Sequence, residues 1–312
     1  MIGDAEDLYH LGNTTMNQAA STDISNTATT AKVTLTPRSL AKSKTITIRK
    51  TRFQAANLTE QYSKSPLISH FLTALSMSFP RGEMFFVDTI KNVRSEIKDP
   101  SLKADIAAFI GQESMHAKAH DQFNTEIQSA DYHLKRFDAE IDKEMARLRT
   151  LSKRRQLAAT VALEHFTAMI AGYILTHPKL VQQLPPNMAS LWIWHAVEEI
   201  EHKHVAFDVY QTVFNNLAQR RRSMRTISLG FIISNTVMTS QLLWQNRKQS
   251  LGSVKQIWAN LQGVGTLAHM MVSLLPEYLA FYKESFHPSE IDHTPLLARW
   301  REELVKKEWV EV

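Results

Sequence analysis

The stretch "LWIWHAVEEIEHKHVAFDVY", residues 191–210, holds three histidines and three glutamates between His195 and His204, inside a run that otherwise reads as buried helix. A helix advances about 100° per residue, so His195, Glu199 and His202 fall within about 60° of arc, on the face that also carries Trp192, Ala206 and Val209. Glu201 and His204 fall on the far side beside Asp208 and read as outward-facing, while Glu198 stands at the shoulder of the inner group. As strings, Glu201-x-x-His204 and Glu199-x-x-His202 are equally good. Helix phase separates them.

Burying one carboxylate and two imidazoles is costly unless a cation or a polar network compensates them, and two turns of a single helix supply neither. A complement appears in "FIGQESMHAKAHDQF" (109–123), where Glu113 and His116 are spaced i, i+3 on the face of Ile106, Phe109, Ile110 and Ala117. Two Glu-x-x-His elements on two helices, with one further Glu from each of two others, form the ligand set of four-helix di-metal carboxylate proteins. "LAATVALEHFTAMIAGYIL" (157–175) offers Glu164 as its only carboxylate, with His165 turned away from it. "SFPRGEMFFVDTI" (78–90) offers Glu83 on the face of Phe79, Val87 and Ile90, with Asp88 turned away.

The candidate metal ligands are therefore Glu83, Glu113, His116, Glu164, Glu199 and His202. His195 is either a seventh ligand or a core histidine that hydrogen-bonds locally. His120 and Glu198 are candidates to support the ligands from behind. A joint pattern of this kind outweighs each motif taken singly, since a lone Glu-x-x-His arises often by chance. A buried polar network or a single-metal site is the competing reading. The donor set is all oxygen and nitrogen, because the chain has no cysteine. That excludes disulfides, thiolate sites and thiol nucleophiles, and it favours two first-row ions of the iron or manganese type. Carboxylate-rich iron suits dioxygen activation. Thr160, Thr167 and Ala168 are small residues near Glu164 and are expected to leave room for a substrate.

The rest of the chain reads as all-α. Residues 1–45, rich in Thr, Ser, Ala and Asn, have too little apolar surface to order and are expected to be a disordered tail ahead of one helical domain, 46–312. "SKTITIRKTRF" (43–53) alternates like a short extended segment lying against that domain. Pro66 and Pro80 are expected to open or kink an early pair of helices. Asp99-Pro100, Asp131 and Ser152 cap further helices near 101–128, 131–149 and 152–176, and "LPPN" (184–187) precedes one long helix through the opening stretch.

Residues 226–246 and 257–276 contain no charged residue, and each run is long enough to span a bilayer. Their Ser, Thr, Asn, Gln and His content would be costly facing lipid, so two readings stand: a buried pair of helices covering the bundle, or a membrane contact through 226–276. The formal charge is +5, with one basic cluster, "RRRSMR" (220–225). Scattered charge of that size gives no stripe for nucleic acid, so no nucleic-acid partner is expected. The polar, acidic start shows no secretory signal, and a cytoplasmic protein is expected.

The segments "FPRGEMFF", "QESMHAKAHDQFN", "ALEHFTA" and "WHAVEEIEHKHVAFDVY" resemble the bacterial family described as predicted metal-dependent hydrolases, which implies a ferritin-like four-helix bundle with additional C-terminal helices. The order Glu, Glu-x-x-His, Glu, His-x-x-x-Glu-x-x-His is similar to that of di-iron N-oxygenases of the p-aminobenzoate N-oxygenase type, and this likeness implies ligation by His195. Together these imply a di-iron oxidoreductase or oxygenase that takes O2, electrons from an external donor and a small apolar substrate. Hydrolysis by metal-bound hydroxide, or metal binding without catalysis, is the alternative. Either form is compatible with an oligomer.

Overall fold

The computed structural model describes residues 46–55, 61–129 and 134–311. The chain separates into two units, Met1–Lys42 and Ser43–Val312, and the described residues all belong to the second. The expected tail and the expected Asp131 cap lie outside them.

Pro66 does open a helix, but Pro80 does not divide it. α1 runs unbroken over Pro66–Lys91, with the Ser65 hydroxyl accepting from the Ile68 amide at its start. Pro80 cannot donate to the carbonyl of Ser76, and a helix usually bends or breaks there. The Asn124 side-chain amide instead donates to that carbonyl, at 3.0 Å, so the bundle replaces the missing bond and the helix continues to Glu83.

α2 spans Pro100–Ser129, and its first turn is capped by Asp99, whose carboxylate accepts from the Ser101 amide. α3 spans Lys135–Arg149 and α4 Lys153–Thr176, with Ser152 at its cap position. A single-turn α5 (Pro178–Val181) leads to α6, Pro186–His202. The helix through the opening stretch is not continuous. It stops at His202, turns at Lys203-His204, and resumes as α7, Val205–Val213.

α8 (Leu217–Gln245), the short α9 (Arg247–Leu251) and α10 (Val254–Ala280) form a long hairpin, and α11 (Thr294–Lys306) follows. β1 (Lys50–Thr51) pairs antiparallel with β2 (Val310–Glu311), pairing Lys50 with Glu311 and Thr51 with Val310. The extended segment expected near 43–53 is thus real where it is described. Its Ile46 and Phe53 are buried in the core.

α1, α2, α6 and α4 close into a ring of mutually packed helices, which is an all-α four-helix bundle. α3 lies on α1, α8 and α10 lie against α1 and α4, and α11 lies on α6. Both α4 and α8 are long and apolar enough to cross a membrane, by length and composition only.

The hairpin is not the buried cover that one reading expected. α8 turns Ser223, Ser228, Asn235 and Thr239 inward and leaves Leu229, Ile233, Val237 and Trp244 exposed. α10 touches the bundle through a narrow seam of Asn260, Gly263, Met270 and Leu274. At the seam's start the side-chain oxygen Oδ1 of Asn260 accepts from the Leu67 amide at 2.8 Å, and a methyl group on Gly263 would collide with the Ser65 hydroxyl. The rest of α10, from Val254 through Leu279, shows apolar side chains to the outside.

Candidate metal centre

Inside the ring each helix contributes from its inner face. α1 supplies Glu83, α2 supplies Glu113 and His116, α4 supplies Glu164, and α6 supplies His195, Glu199 and His202. All seven are buried. Their donor atoms gather into three overlapping groups, each within 4.8 Å: Glu83, His116 and His195; Glu113, His116 and Glu199; Glu113, Glu164 and His202. These groups contain every residue of the expected ligand set, and no other such group occurs among the described residues.

The contacts are close but poorly satisfied. His202 Nε2 lies 3.0 Å from Glu113 Oε1 and 3.5 Å from both Glu164 Oε2 and Glu199 Oε1, yet makes no hydrogen bond. Both oxygens of Glu83, Glu113 and Glu164 are buried without a hydrogen-bond partner, as is His116 Nδ1. An orphaned buried polar atom costs about 1–3 kcal/mol, more when charged. Six such oxygens would consume most of the roughly 5–15 kcal/mol by which a domain is stable. The residues therefore fit a cationic group among them.

The electrostatics carry the same strain. Burial, aided by the charges of Glu113 and Glu199, holds the Glu83 carboxyl well above its ordinary range. Burial and neighbouring carboxylates do the same to Glu113 and Glu164. Glu199 goes the other way: burial would raise it, but the charge of His202 close by and the hydrogen bond from His195 take it well below the usual range. Burial would lower His202, and Glu199 outweighs that, pushing it up to about 9. Glu199 and His202 thus each favour the other's charged form.

Each histidine has one ring nitrogen turned to the centre and the other held from behind. His195 donates or accepts through Nδ1 with His120 Nε2 at 2.7 Å, and His120 Nδ1 is held by the Ser76 hydroxyl at 2.8 Å. His116 Nε2 pairs with Glu198 Oε2 at 3.2 Å. His202 Nδ1 pairs with Gln112 Oε1 at 2.9 Å. So the two residues expected behind the ligands, His120 and Glu198, both sit there. Burial pushes Glu198 up to about 8, opposed by Arg49.

Three residues escaped the reading of the sequence. Gln112 is a neutral helix residue whose position beside Glu113 is its only signal in the sequence. Arg49 comes from the extended segment before the bundle, and Arg301 from α11, so no local pattern could reveal either. Glu201 joins them, and its expected outward exposure is corrected. The Lys203-His204 break and the crossing of the 46–53 segment bury it, and its carboxylate accepts from Arg49 at 2.8 and 2.9 Å, Arg301 at 2.6 Å and Gln112 at 3.0 Å. Arg49 also reaches Glu198 Oε1 at 3.3 Å. His204 stays on the outside, 3.6 Å from Asp105.

The threonines near Glu164 also differ from expectation. Thr160 is fully buried and shares a hydrogen bond with Thr89, so it leaves no room for a substrate. Thr167 donates to Glu199 Oε2 at 2.6 Å and does line a cavity. Ala168 is buried and lines neither that cavity nor the smaller one beside His195.

No curated protein and no solved structure matches the chain at a significant level. A family model described as predicted metal-dependent hydrolase matches residues 47–292, a span that includes the whole ring, the centre and the hairpin. The chain belongs to the predicted metal-dependent hydrolase family.

Proposed function

We propose that this protein is a ferritin-like di-iron oxidoreductase, with Glu83, Glu113, His116, Glu164, His195, Glu199 and His202 as ligands. The observation that carries the reading is the set of buried, unpartnered carboxylate oxygens facing three histidines whose other nitrogens are already held. Glu113 and Glu199 lie between the groups around His116 and His202, so each would help to hold metal on either side. When bound, two irons supply the reduction of O2 with electrons from an external donor, and manganese is the alternative metal.

The chain's own residues hold and tune. His120, Glu198 and Gln112 fix the tautomers and orientations of the three imidazoles. Thr167 holds one oxygen of Glu199, and Phe79, 4.8 Å from both His120 and His195, helps exclude water. Seven ligands on four packed helices make a shielded, carboxylate-rich pocket, which suits a redox centre better than the open water position of a hydrolytic one. The family description keeps hydrolysis as the second reading.

Metal analysis after anaerobic purification, paired with oxygen-electrode measurements, separates them. The expected result is about two iron ions per chain and reductant-dependent O2 uptake. Fewer than about one ion per chain overturns the di-metal reading. Ester or amide turnover without O2 or reductant establishes the hydrolase.

The hairpin supports a place for the protein as well. We infer that the outer face of α8 and α10 rests on an anionic lipid surface. No charged residue falls in 226–246 or 257–276; Ser228, Asn235 and Thr239 of α8 face inward, while Leu229, Ile233, Val237 and Trp244 are exposed beside the small hydroxyls of Thr226, Ser234, Thr236 and Ser240. The turn of the hairpin adds exposed Trp244 and Trp258 beside Arg247, Lys248 and Lys255, the residue types that anchor at a lipid interface. α3, highly charged, lies on the same bundle and would be forced into hydrocarbon if the hairpin spanned the bilayer, so the face lies flat.

A further inference from the structure

The structure carries a cavity of about 790 Å³ bounded by α1, α3, α4 and α8, within the range of about 300–1,000 Å³ typical of small-molecule sites. Its wall includes Glu83. Phe79, Thr167 and Phe231 border both this cavity and a smaller one that reaches His195 and Glu199, so these side chains stand between the cavity and the centre. Between its ends the lining is mainly apolar, with Phe86, Phe137, Leu163 and Val237 among it.

The ends differ in charge. α4 and α8 begin side by side, since Tyr210 lies within electrostatic reach of both Arg154 and Arg220. Arg155 and Arg222 line the cavity at that end, and both are exposed. Among the described residues no carboxylate pairs with either, whereas Arg147 nearby is tied to Glu144 at 2.6 Å. The far end carries Arg136 and Glu140, one charge of each sign. An apolar groove with two unneutralised guanidiniums at one end is complementary to an anion on a long apolar body.

We propose that this cleft binds a single-chain amphiphile with a carboxylate head, of the long-chain fatty-acid class, with the head at Arg155 and Arg222 and the chain laid past Glu83 and Thr167. On α4 the head is held about 13 Å along the helix axis from Glu164, at 1.5 Å per residue. The part of the chain that reaches the centre is therefore remote from the carboxylate. That this ligand is the substrate rests on the di-iron reading; that it binds does not. The exposed apolar side chains of α8, Ile233 and Val237, stand at the cleft's edge and connect it to the proposed lipid face.

The test is equilibrium titration of the full chain with dodecanoate, dodecanol and dodecyltrimethylammonium below their micellar concentrations, with metal content measured on the same samples. Dodecanoate is expected to bind about tenfold or more tighter than dodecanol, which corresponds to about 1.4 kcal/mol, and the ammonium weakest. The double variant Arg155→Ala, Arg222→Ala should lose the preference for the carboxylate and keep dodecanol binding. Gly230→Trp, at a cavity-lining position where a Cβ meets nothing within 4 Å, should block all three and leave metal content unchanged. Equal affinities for the three probes, or unchanged binding in Gly230→Trp, overturns the proposal. Metal-loaded protein that binds no dodecanoate overturns it while leaving the di-iron reading standing; dodecanoate binding by protein that takes up no metal does the reverse.

Discussion

α4 and α8 look alike as sequence and live in opposite surroundings. Both are long and apolar enough to cross a membrane, yet the apolar window of α4 is 100% buried inside the protein and that of α8 only 28%. The difference lies in where each keeps its polar groups. α4 turns one carboxylate, Glu164, into a ring where three other helices bring charged or ionisable partners. α8 buries no carboxylate: it turns Ser228, Asn235 and Thr239 inward beside Met238 and Leu242, and leaves Leu229, Ile233, Val237 and Trp244 exposed. Length and hydropathy report that a helix avoids water, and the polar residues report what it meets instead.

The largest effect should come from breaking the α4 side. Glu164→Gln or Glu113→Gln is expected to abolish stoichiometric metal binding while raising the melting temperature of the metal-free protein, because an orphaned buried carboxyl is replaced by a neutral group. The equivalent change in α8, Asn235→Leu, should leave metal content untouched. Metal analysis and calorimetry on the same preparations check both halves. Retention of about two ions per chain in Glu164→Gln would sink the assignment of that residue.

A smaller loss should follow from Gln112→Ala or Glu201→Gln. Neither side chain belongs to the donor groups, but Gln112 holds His202 and Glu201 holds Gln112. Partners of this kind typically tune metal affinity about 10- to 100-fold. Competition with a chelator measures it, and an unchanged affinity in Gln112→Ala would show that His202 needs no such support.

The candidate donor set is legible because its geometry is local. Helix phase on four separate segments selects Glu83, Glu113, His116, Glu164, Glu199 and His202, and the bundle brings those faces together. The layer behind was half legible. His120 lies on the same helix face as Glu113 and could be read, whereas Arg49 and Arg301 come from segments whose crossing no periodicity encodes. The misreading of Glu201 has the same origin: helix phase says which way a side chain leaves its own helix and nothing about what later covers it. Pro80 is the converse case, a local signal for a break that a distant Asn124 cancels.

On the outer face of α10, Leu261→Glu with Val264→Glu should remove binding to anionic vesicles, because it replaces apolar contact with like-charge repulsion, while shifting stability by no more than about 0.5 kcal/mol per site, since both side chains are already exposed. Co-sedimentation with vesicles and thermal melting together check this. Unchanged sedimentation, or loss of a dimer in place of loss of vesicle binding, would give the face to a second copy of the chain.

The smallest and most discriminating effect is a pH dependence that only the α4 side should show. In the metal-free protein Glu83, Glu113 and Glu164 are held above their ordinary range by burial, Glu198 is raised to about 8 and His202 to about 9. A group whose folded value is raised binds protons more readily folded than unfolded, so its contribution is full below its unfolded value and lost as pH rises through the folded one. Metal-free protein should therefore melt at progressively lower temperature between about pH 6.5 and 9. The buried His116 and His120 act oppositely, being held low, but their loss falls below that window. Bound metal replaces the protons, so the loaded protein should stay nearly flat over the same range. In Asn235→Leu the two curves should be those of the native protein, whereas Glu164→Gln should flatten the metal-free curve. A metal-free protein that becomes more stable from pH 6.5 to 9 would mean that the centre's carboxyls are not held protonated by burial, and that the contrast between α4 and α8 is one of packing alone.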